Sequence, residues 1–595
     1  MLGDNNPLPL SMKAIYASRW HVISEMLNHK VAIILFQIAD LLELKDEKFK
    51  PQAYRKAAHS IEALEKDIQE EYEHGRLREI PGVGEAIEGK IVEIIKTGGL
   101  KYLDELKAEF PPGLVQVMDV QEIGPKTAVR LYHELKVTNL QDLKAAAEQH
   151  HIRHLKGFGD KTEENILKGI RYLEESRGRM LLGYAYPIAS GMVNYLKAKG
   201  GFSLVDFAGS LRRMRETIGD IDILVGTDDP DRATEIFVSY PEVESVIAKG
   251  PTRSAVRLRS GTQVDLRVVA PKSYGAALQY FTGSKEHNVV LRSMAIEKGL
   301  KLNEYGLFKK DTMVPVAGET EESIYKALGV DIMPPEIREN HGEIEAALKH
   351  QLPRLVELKD IRGDLHMHTN ASDGADLMEA MAEAARGRGY DYIGITDHSV
   401  SLHIANGLDE TRLKSNIARA RQISDEMAPF KVMIGAEVEV SEKGELDYPN
   451  ELLAELDYVI AGVHSRFKMG EAEMTERLLT AISNEHVRIL AHPTGRILGQ
   501  REGYAFDIQK VFQSAKEQKV CMEVSSYIDR LDLPDRLCRT AKEIGVVLAI
   551  NTDSHGTEHL DYMKYGVATA RRGWIGPEQV LNTMSLDKIS VWMKS

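Results

Sequence analysis

Two cysteines, Cys521 and Cys538, are all the thiol that a chain of 595 residues carries. That excludes a disulfide framework and structural zinc held by cysteine, and it makes a reducing cytoplasm the expected home. Long apolar runs are missing too. No stretch of eighteen consecutive apolar residues occurs, so neither a membrane span nor a membrane partner is expected. Positive charge is in deficit, with 76 Lys and Arg against 90 Asp and Glu and a formal net charge of −14. A protein that coats nucleic acid by bulk attraction is disfavoured, so any such contact has to be local. The start also lacks the basic segment and small-residue cleavage site of a secretory signal. Residues 1–29 read as an N-terminal extension, or as an upstream start ahead of Met12 or Met26.

What is present is ordinary globular composition, 43% hydrophobic and 28% charged, on a chain too long for one core. To about residue 200 apolar residues recur at helical spacing, as in "KVAIILFQIADLLEL" (30–44) and "YRKAAHSIEALEKDI" (54–68). From 203 to 270 short strand-like runs replace them. The Pro-bearing, charged stretch 331–360 reads as a connector with one helix. Beyond it, buried-looking runs such as "YIGITDHS" and "VVLAINTDSH" alternate with amphipathic stretches, a βα repeat that predicts a parallel, barrel-like sheet.

Three stretches in the helical third share one pattern: "IPGVGEAIEGKIVEII", "VQEIGPKTAVRLYHEL" and "LKGFGDKTEENILKGI". Each has a glycine turn opening a helix, with Gly82 and Gly84, Gly124, and Gly157 and Gly159 at the turns; Glu122 stands where the first and third copies have Gly82 and Gly157. Free backbone N–H groups at such a helix start can hold a phosphate without reading bases. A plain packing corner between helices is the alternative.

In "FAGSLRRMRETIGDIDILV" Asp220 and Asp222 stand two apart in a strand-like run, which predicts that both leave the same face. Two such carboxylates repel unless a cation lies between them. Asp265 in "QVDLRVV" can join them from a neighbouring strand. The set suits two Mg²⁺ ions serving in-line phosphoryl transfer, with Gly209 and Ser210 at a turn and Arg212 and Arg213 supplying charge for a phosphate tail. A D-x-D on a solvated edge strand is the competing explanation.

The C-terminal third offers a ligand after almost every apolar run: His366, His368, Asp373, His398, Glu437, His464, His492, Asp553 and His555. Ligands at the C-terminal ends of parallel strands converge on one mouth. Imidazole and carboxylate donors without cysteine suit Zn²⁺ or Mn²⁺, and nine donors are too many for one four-coordinate ion. Two or three ions are expected, in a site for phosphate-ester hydrolysis.

Three resemblances follow from these motifs. The repeated turn resembles the helix-hairpin-helix of DNA repair proteins. G-S-x-R-R…G-D-x-D, carried by Gly209, Ser210, Arg212, Arg213, Gly219, Asp220 and Asp222, with Asp265 as third aspartate, resembles the palm of X-family DNA polymerases related to polymerase beta. D-x-H-x-H-x4-D, T-D-H, G-x-E, A-H-P and N-T-D-x-H together resemble the polymerase and histidinol phosphatase (PHP) domain. The joined architecture is similar to bacterial and archaeal X-family polymerases with a C-terminal PHP domain. It implies a multidomain α+β and α/β chain: a helical helix-hairpin-helix region, a polymerase beta-like nucleotidyltransferase palm, and a distorted (β/α)7 PHP barrel. The divisions implied are a helical lyase-like domain over 30–104, a second hairpin subdomain over 105–177, the palm over 178–270, a nucleotide-binding subdomain over 271–335, a linker over 336–360 and the PHP domain over 361–595.

The resemblance further implies Tyr280, Phe281 and Gly283 against the incoming sugar and base, and Asn288, Arg292 and Glu304 near base or template, with Lys285 where the family often has an acidic residue. It implies a lysine nucleophile at Lys90 that would form a Schiff base with a 5′-deoxyribose phosphate, supported by Tyr54. Lys50, Arg55 and Lys56 would lower its pKa and Glu85 and Glu88 would raise it. Ala86 replaces a family lysine there and Phe49 a usual histidine, and a lysine that merely binds phosphate is the other reading. The expected function is gap-filling DNA repair synthesis on gapped or nicked duplex with dNTPs, by a monomer. A 3′-to-5′ exonuclease and AP-endonuclease-like phosphoesterase would accompany it on the same chain. A phosphatase for a small phosphate ester and a non-catalytic DNA-end scaffold are the alternatives.

Overall fold

A computed structural model describes residues 27–594 apart from 29, 46, 48–49, 63, 65–67, 112, 119, 121–122 and 177–178. The expected extension, except Leu27 and Asn28, therefore lies outside the described residues, as do Phe49 and Glu122. The chain divides into two units, 1–177 with 499–502, and 178–498 with 503–595.

The first unit is helical. Val31, Leu35, Ile38 and Leu42 recur every three or four positions, so they share one face and meet Ala57, Ile61, Ile87, Ile91, Ile94, Leu103 and Leu131 in one core. Each fully buried Leu or Ile in it contributes about 1.5–3 kcal/mol. Gly84 caps Glu85–Thr97 in extended conformation and Gly124 caps Pro125–Leu135 in the same way. The third turn leads into Asp160–Ser176. Gly82 takes φ +87°, and a Cβ there would lie 2.9 Å from the Ala57 backbone nitrogen.

The second unit begins with a five-stranded sheet in the order Leu204–Phe207, Ile221–Gly226, Gln263–Val269, Arg253–Leu258, Val243–Ala248. Its neighbours run antiparallel except the central pair, where Ile221–Gly226 and Gln263–Val269 run parallel. The helices Leu182–Gly200 and Pro230–Val238 pack together beside it. Next come the helices Tyr274–Thr282 and Lys285–Glu297 and an antiparallel sheet of Leu300–Asn303, Gly306–Lys309 and Pro315–Ala317. The connector carries one α-helix, Glu343–Leu348, whose Ile344 and Ala347 join Leu291, Leu307 and Ile324 in this part's core.

The C-terminal part holds two parallel sheets. One contains Gly363–Asp364, Tyr392–Ile395 and Lys431–Ile434; the other runs Glu437–Glu439, Val459–Gly462, Val487–Leu490, Cys521–Ser525 and Leu548–Asn551. Parallel bridges Met367↔Ser554 and His398↔Glu437 tie the sheets at both seams. Lys431–Ile434 and Glu437–Glu439 follow one another in the chain but belong to different sheets. These strands are buried on both faces, hence their continuous apolar runs.

The barrel and the palm are joined by charge-assisted hydrogen bonds. Arg496 pairs with Glu216 of the palm at 2.8 Å and Arg572 donates to the Arg213 carbonyl at 2.8 Å, while Arg571 with Glu336 at 2.8 Å and Arg572 with Glu339 at 3.0 Å hold the connector. Such bonds to ionised groups are roughly twice as strong as neutral ones. No helix among the described residues is long and apolar enough to cross a membrane.

Candidate active sites

In the palm, Asp222 and Asp265 are direct partners across the parallel strand pair. Asp220 immediately precedes the first strand rather than lying within it. Ala208 N–H donates to the Asp222 carbonyl at 2.9 Å, pinning the Gly209 turn against the carboxylates. Gly209 takes φ +63°, and a Cβ there would stand 2.8 Å from Asp222 Oδ2. Glycine is required twice over, by backbone and by space. Burial, then Asp220 and Asp265, pushes Asp222 up to about 6, with Arg267 and Arg253 opposing. Gln263 donates to Asp265 at 2.8 Å and Arg253 reaches it at 3.4 Å. Clustered carboxylates that resist ionising together fit a divalent-cation site.

The two signature arginines have other partners. Arg212 grips Glu321 through two bonds of 3.0 and 2.6 Å and donates to Thr282 Oγ1 at 2.7 Å. Arg213 donates to Glu339 at 3.1 Å and to the Thr282 carbonyl at 2.5 Å. Burial opposes the Glu321 charge, but Arg338 and Arg212 outweigh it and bring it down to about 2. Both guanidiniums thus clamp the end of Tyr274–Thr282 beside Gly283. Ser210 and Arg292 are half-buried, and Asn288 is held by Gln279 at 2.6 Å while donating to the Tyr280 carbonyl at 2.7 Å. Tyr280 packs edge-on against Phe281, over which Arg267 lies at 5.2 Å. Phe281, Arg267 and Glu304 line a cavity of about 1000 Å³.

In the barrel, eight of the nine expected ligands fall into three overlapping groups: His368, Asp373, His398 and His555; His366, His368 and Asp553; His398, Glu437 and His464. His492 joins through Nε2 at 2.9 Å from Glu437 Oε1. The geometry and donor chemistry fit bound cations. Nδ1 of His368 and of His492 are buried without a hydrogen-bond partner. Burial opposes charge on His464, but Glu437 and Glu439 lift it to about 9; Asp373 and Asp553 do the same for His555. Asp553 and His492 sit at φ +55° and +28°, a backbone region that costs about 1–3 kcal/mol and collects at functional sites.

Reading the ligands alone missed their supports. Glu523 accepts from His366 Nδ1 at 2.7 Å and from His492 N–H at 2.8 Å, and Glu439 engages His464 Nδ1 at 2.7 Å. Carboxylates of this kind fix tautomer and ring orientation. For Glu523 the signal was a lone acid inside an apolar strand, Cys521–Ser525. Asp364 accepts from Thr552 and His366 N–H, and burial raises it to about 7.

In the first unit, Lys90 Nζ donates to the Ala86 carbonyl at 3.1 Å and lies 4.6 Å from the Tyr102 ring centroid and 5.8 Å from that of Tyr54. Arg55, one expected cation, is taken up by Asp40 and Glu43, while Arg78 engages Glu88.

Four stretches of the chain match known protein families. Residues 26–100 match the helix-hairpin-helix domain family, 115–171 the SAM-like helix-hairpin-helix tandem, 277–339 the DNA polymerase beta thumb and 364–553 the PHP domain. The "Probable phosphatase TTE1963" of Caldanaerobacter subterraneus is 30% identical over 39% of this chain and 90% of its own length. DNA polymerase lambda of Rattus norvegicus is 25% identical over 51% of this chain and 54% of its own. The "DNA polymerase/3'-5' exonuclease PolX" of Bacillus subtilis is 40% identical over 95% of this chain and 99% of its own length. With identity that runs from hairpins to barrel, the chain belongs to the PolX family of DNA polymerases with a PHP domain.

Proposed function

We infer that this protein is a DNA-directed DNA polymerase that fills short gaps from dNTPs in the cytoplasm, acting as a monomer, and that its PHP barrel is a second enzyme acting on DNA ends. The observation that carries the first half is the direct pairing of Asp222 with Asp265, with Asp220 one residue ahead of the strand. These carboxylates would hold Mg²⁺, which supplies charge neutralisation for in-line displacement at the incoming triphosphate. The chain's own groups do the positioning. The Gly209 turn keeps the carboxylates at one spot, and Arg212 and Arg213 fix Thr282 and Gly283, beside which Tyr280 and Phe281 meet the sugar and base. Arginines placed in the sequence to bind phosphate serve here as clamps of the nucleotide-facing turn.

His366, His368, Asp373, His398, Glu437, His464, His492, Asp553 and His555 would hold two or three Zn²⁺ or Mn²⁺ ions, which supply Lewis acidity toward a phosphodiester. Glu523 and Glu439 hold the imidazoles in register for this 3′-to-5′ exonuclease and AP-endonuclease-like centre. Gly82, Gly84, Gly124, Gly157 and Gly159 form the phosphate-gripping turns for the duplex, and Lys90 serves as the lyase nucleophile. Replacing Asp222 by Ala should cut primer extension at least about a hundredfold with the fold retained. Wild-type extension by that variant would remove the palm from the account.

A further inference from the structure

An unbroken run of aromatic rings links the two centres. It starts at His555 in the barrel cluster, whose ring centroid lies 6.0 Å from that of Tyr527. Tyr527 meets Tyr562 at 5.7 Å, Tyr562 meets Tyr565 at 6.1 Å, and Tyr565 meets Tyr186 of the palm at 6.1 Å. Tyr186 in turn meets Phe207 at 5.4 Å. Phe207 ends the strand that pairs with Ile221–Gly226, and the next residue, Ala208, donates its N–H to the Asp222 carbonyl. A seam that only glued barrel to palm would bury its rings. Tyr565 alone is buried, its hydroxyl directed at the Gly183 carbonyl at 3.4 Å, while Tyr527, Tyr562, Tyr186 and Phe207 stay half-buried. Positive charge accompanies them: Lys564 Nζ lies 5.1 and 5.6 Å from the Tyr565 and Tyr186 ring centroids, and Arg530 stands beside Asp553 at 3.6 Å.

Partly exposed aromatic rings beside cations are what single-stranded nucleic acid binds without regard to sequence, since every base has a face to stack and every link a phosphate to neutralise. We propose that this aromatic run is the track on which an unpaired 3′ strand lies as it passes between the palm and the barrel. The inference rests on the reading of the barrel as a DNA 3′-end nuclease. What it adds is the set of residues that would hold the strand on its way between the two centres. Tyr565 acts as the buried anchor, and Lys564 follows the backbone of the strand.

The test uses the full chain and two substrates, a 5′-labelled duplex with an unpaired 3′ tail and bis(p-nitrophenyl) phosphate. The readout is the ratio of the two hydrolysis rates. Tyr562→Ala and Tyr186→Ala should lower the ratio about tenfold or more, as loss of one stacked base does, while Tyr562→Phe and Tyr186→Phe should keep it. Under a single-stranded DNA trap, wild type should trim a mismatched end and extend it in one encounter, and Tyr186→Ala should not. Ratios and trimming unchanged in both alanine variants overturn the track. A second measurement needs no variant: a 3′ tail carrying iododeoxyuridine, irradiated on wild-type protein, should attach to Tyr562 or Tyr186, and attachment only elsewhere overturns it. Wild type that leaves the tail intact while hydrolysing the small ester refutes the nuclease reading itself, a different failure.

Discussion

Replacing Gly209 by alanine perturbs the palm at a single atom. The backbone sits at φ +63°, and the left-handed region costs an L-residue about 1–2 kcal/mol. The new Cβ would stand 2.8 Å from Asp222 Oδ2, inside normal contact, and Ala208 N–H already fixes the same residue's backbone. The carboxylate must therefore turn aside, and a displacement of about 1 Å at a reacting centre can cost about a hundredfold in rate. The barrel ligands belong to separate elements after residue 360 and should not notice. Primer extension and hydrolysis measured on one preparation should then diverge: extension lower by about a hundredfold, hydrolysis within twofold, and a fall in melting temperature of a few degrees. Extension within a few-fold of wild type would show that the Gly209 turn does not set the Asp222 carboxylate.

Three further outcomes follow from the same geometry. Because burial and its neighbours raise Asp222 to about 6 from an ordinary value near 4, the folded palm binds more protons than the unfolded chain in that window. Cation-free protein should lose stability as pH rises from about 4 to 6, read by its melting temperature across pH, and extension should need more Mg²⁺ as pH falls below about 6, read by titrating Mg²⁺; a flat Mg²⁺ requirement would contradict it. Binding to gapped duplex should weaken steeply between low and moderate salt and ignore flanking sequence, since hairpin amides and local cations meet phosphates; salt-independent anisotropy would refute the hairpin reading. Borohydride should trap a 5′-deoxyribose phosphate on the wild-type protein and not on Lys90→Ala; no adduct, or one that survives the substitution, removes Lys90 as nucleophile.

Much of the fold was legible because its signals are local. Apolar runs ending in His or Asp mark strands buried on both faces and ligands at their C-terminal ends, and the structure gathers those nine side chains into one cluster. Alternation in "DIDILV" placed Asp222 on a strand, though Asp220 falls just outside it, where the chain bends at Gly219 between Thr217–Ile218 and Ile221–Gly226. What the sequence hid was long-range. Arg212 and Arg213 read as phosphate binders, while Glu321 and Glu339, their partners, stand more than a hundred positions away. Glu523 and Glu439 looked like strand residues until the histidines they support came into view. The aromatic run draws on four separate segments, so no window of sequence contains it.

The central claim is that one chain holds two independent centres for DNA. It is tested most directly by a labelled gapped duplex incubated with and without dNTPs, in Mg²⁺ and then Mn²⁺, with wild type, Asp222→Ala and His366→Ala side by side. Wild type should lengthen the primer with dNTPs and shorten it without them. Asp222→Ala should only shorten, and His366→Ala should only lengthen while binding less metal. A single substitution that abolishes both lengthening and shortening in folded protein would contradict the account.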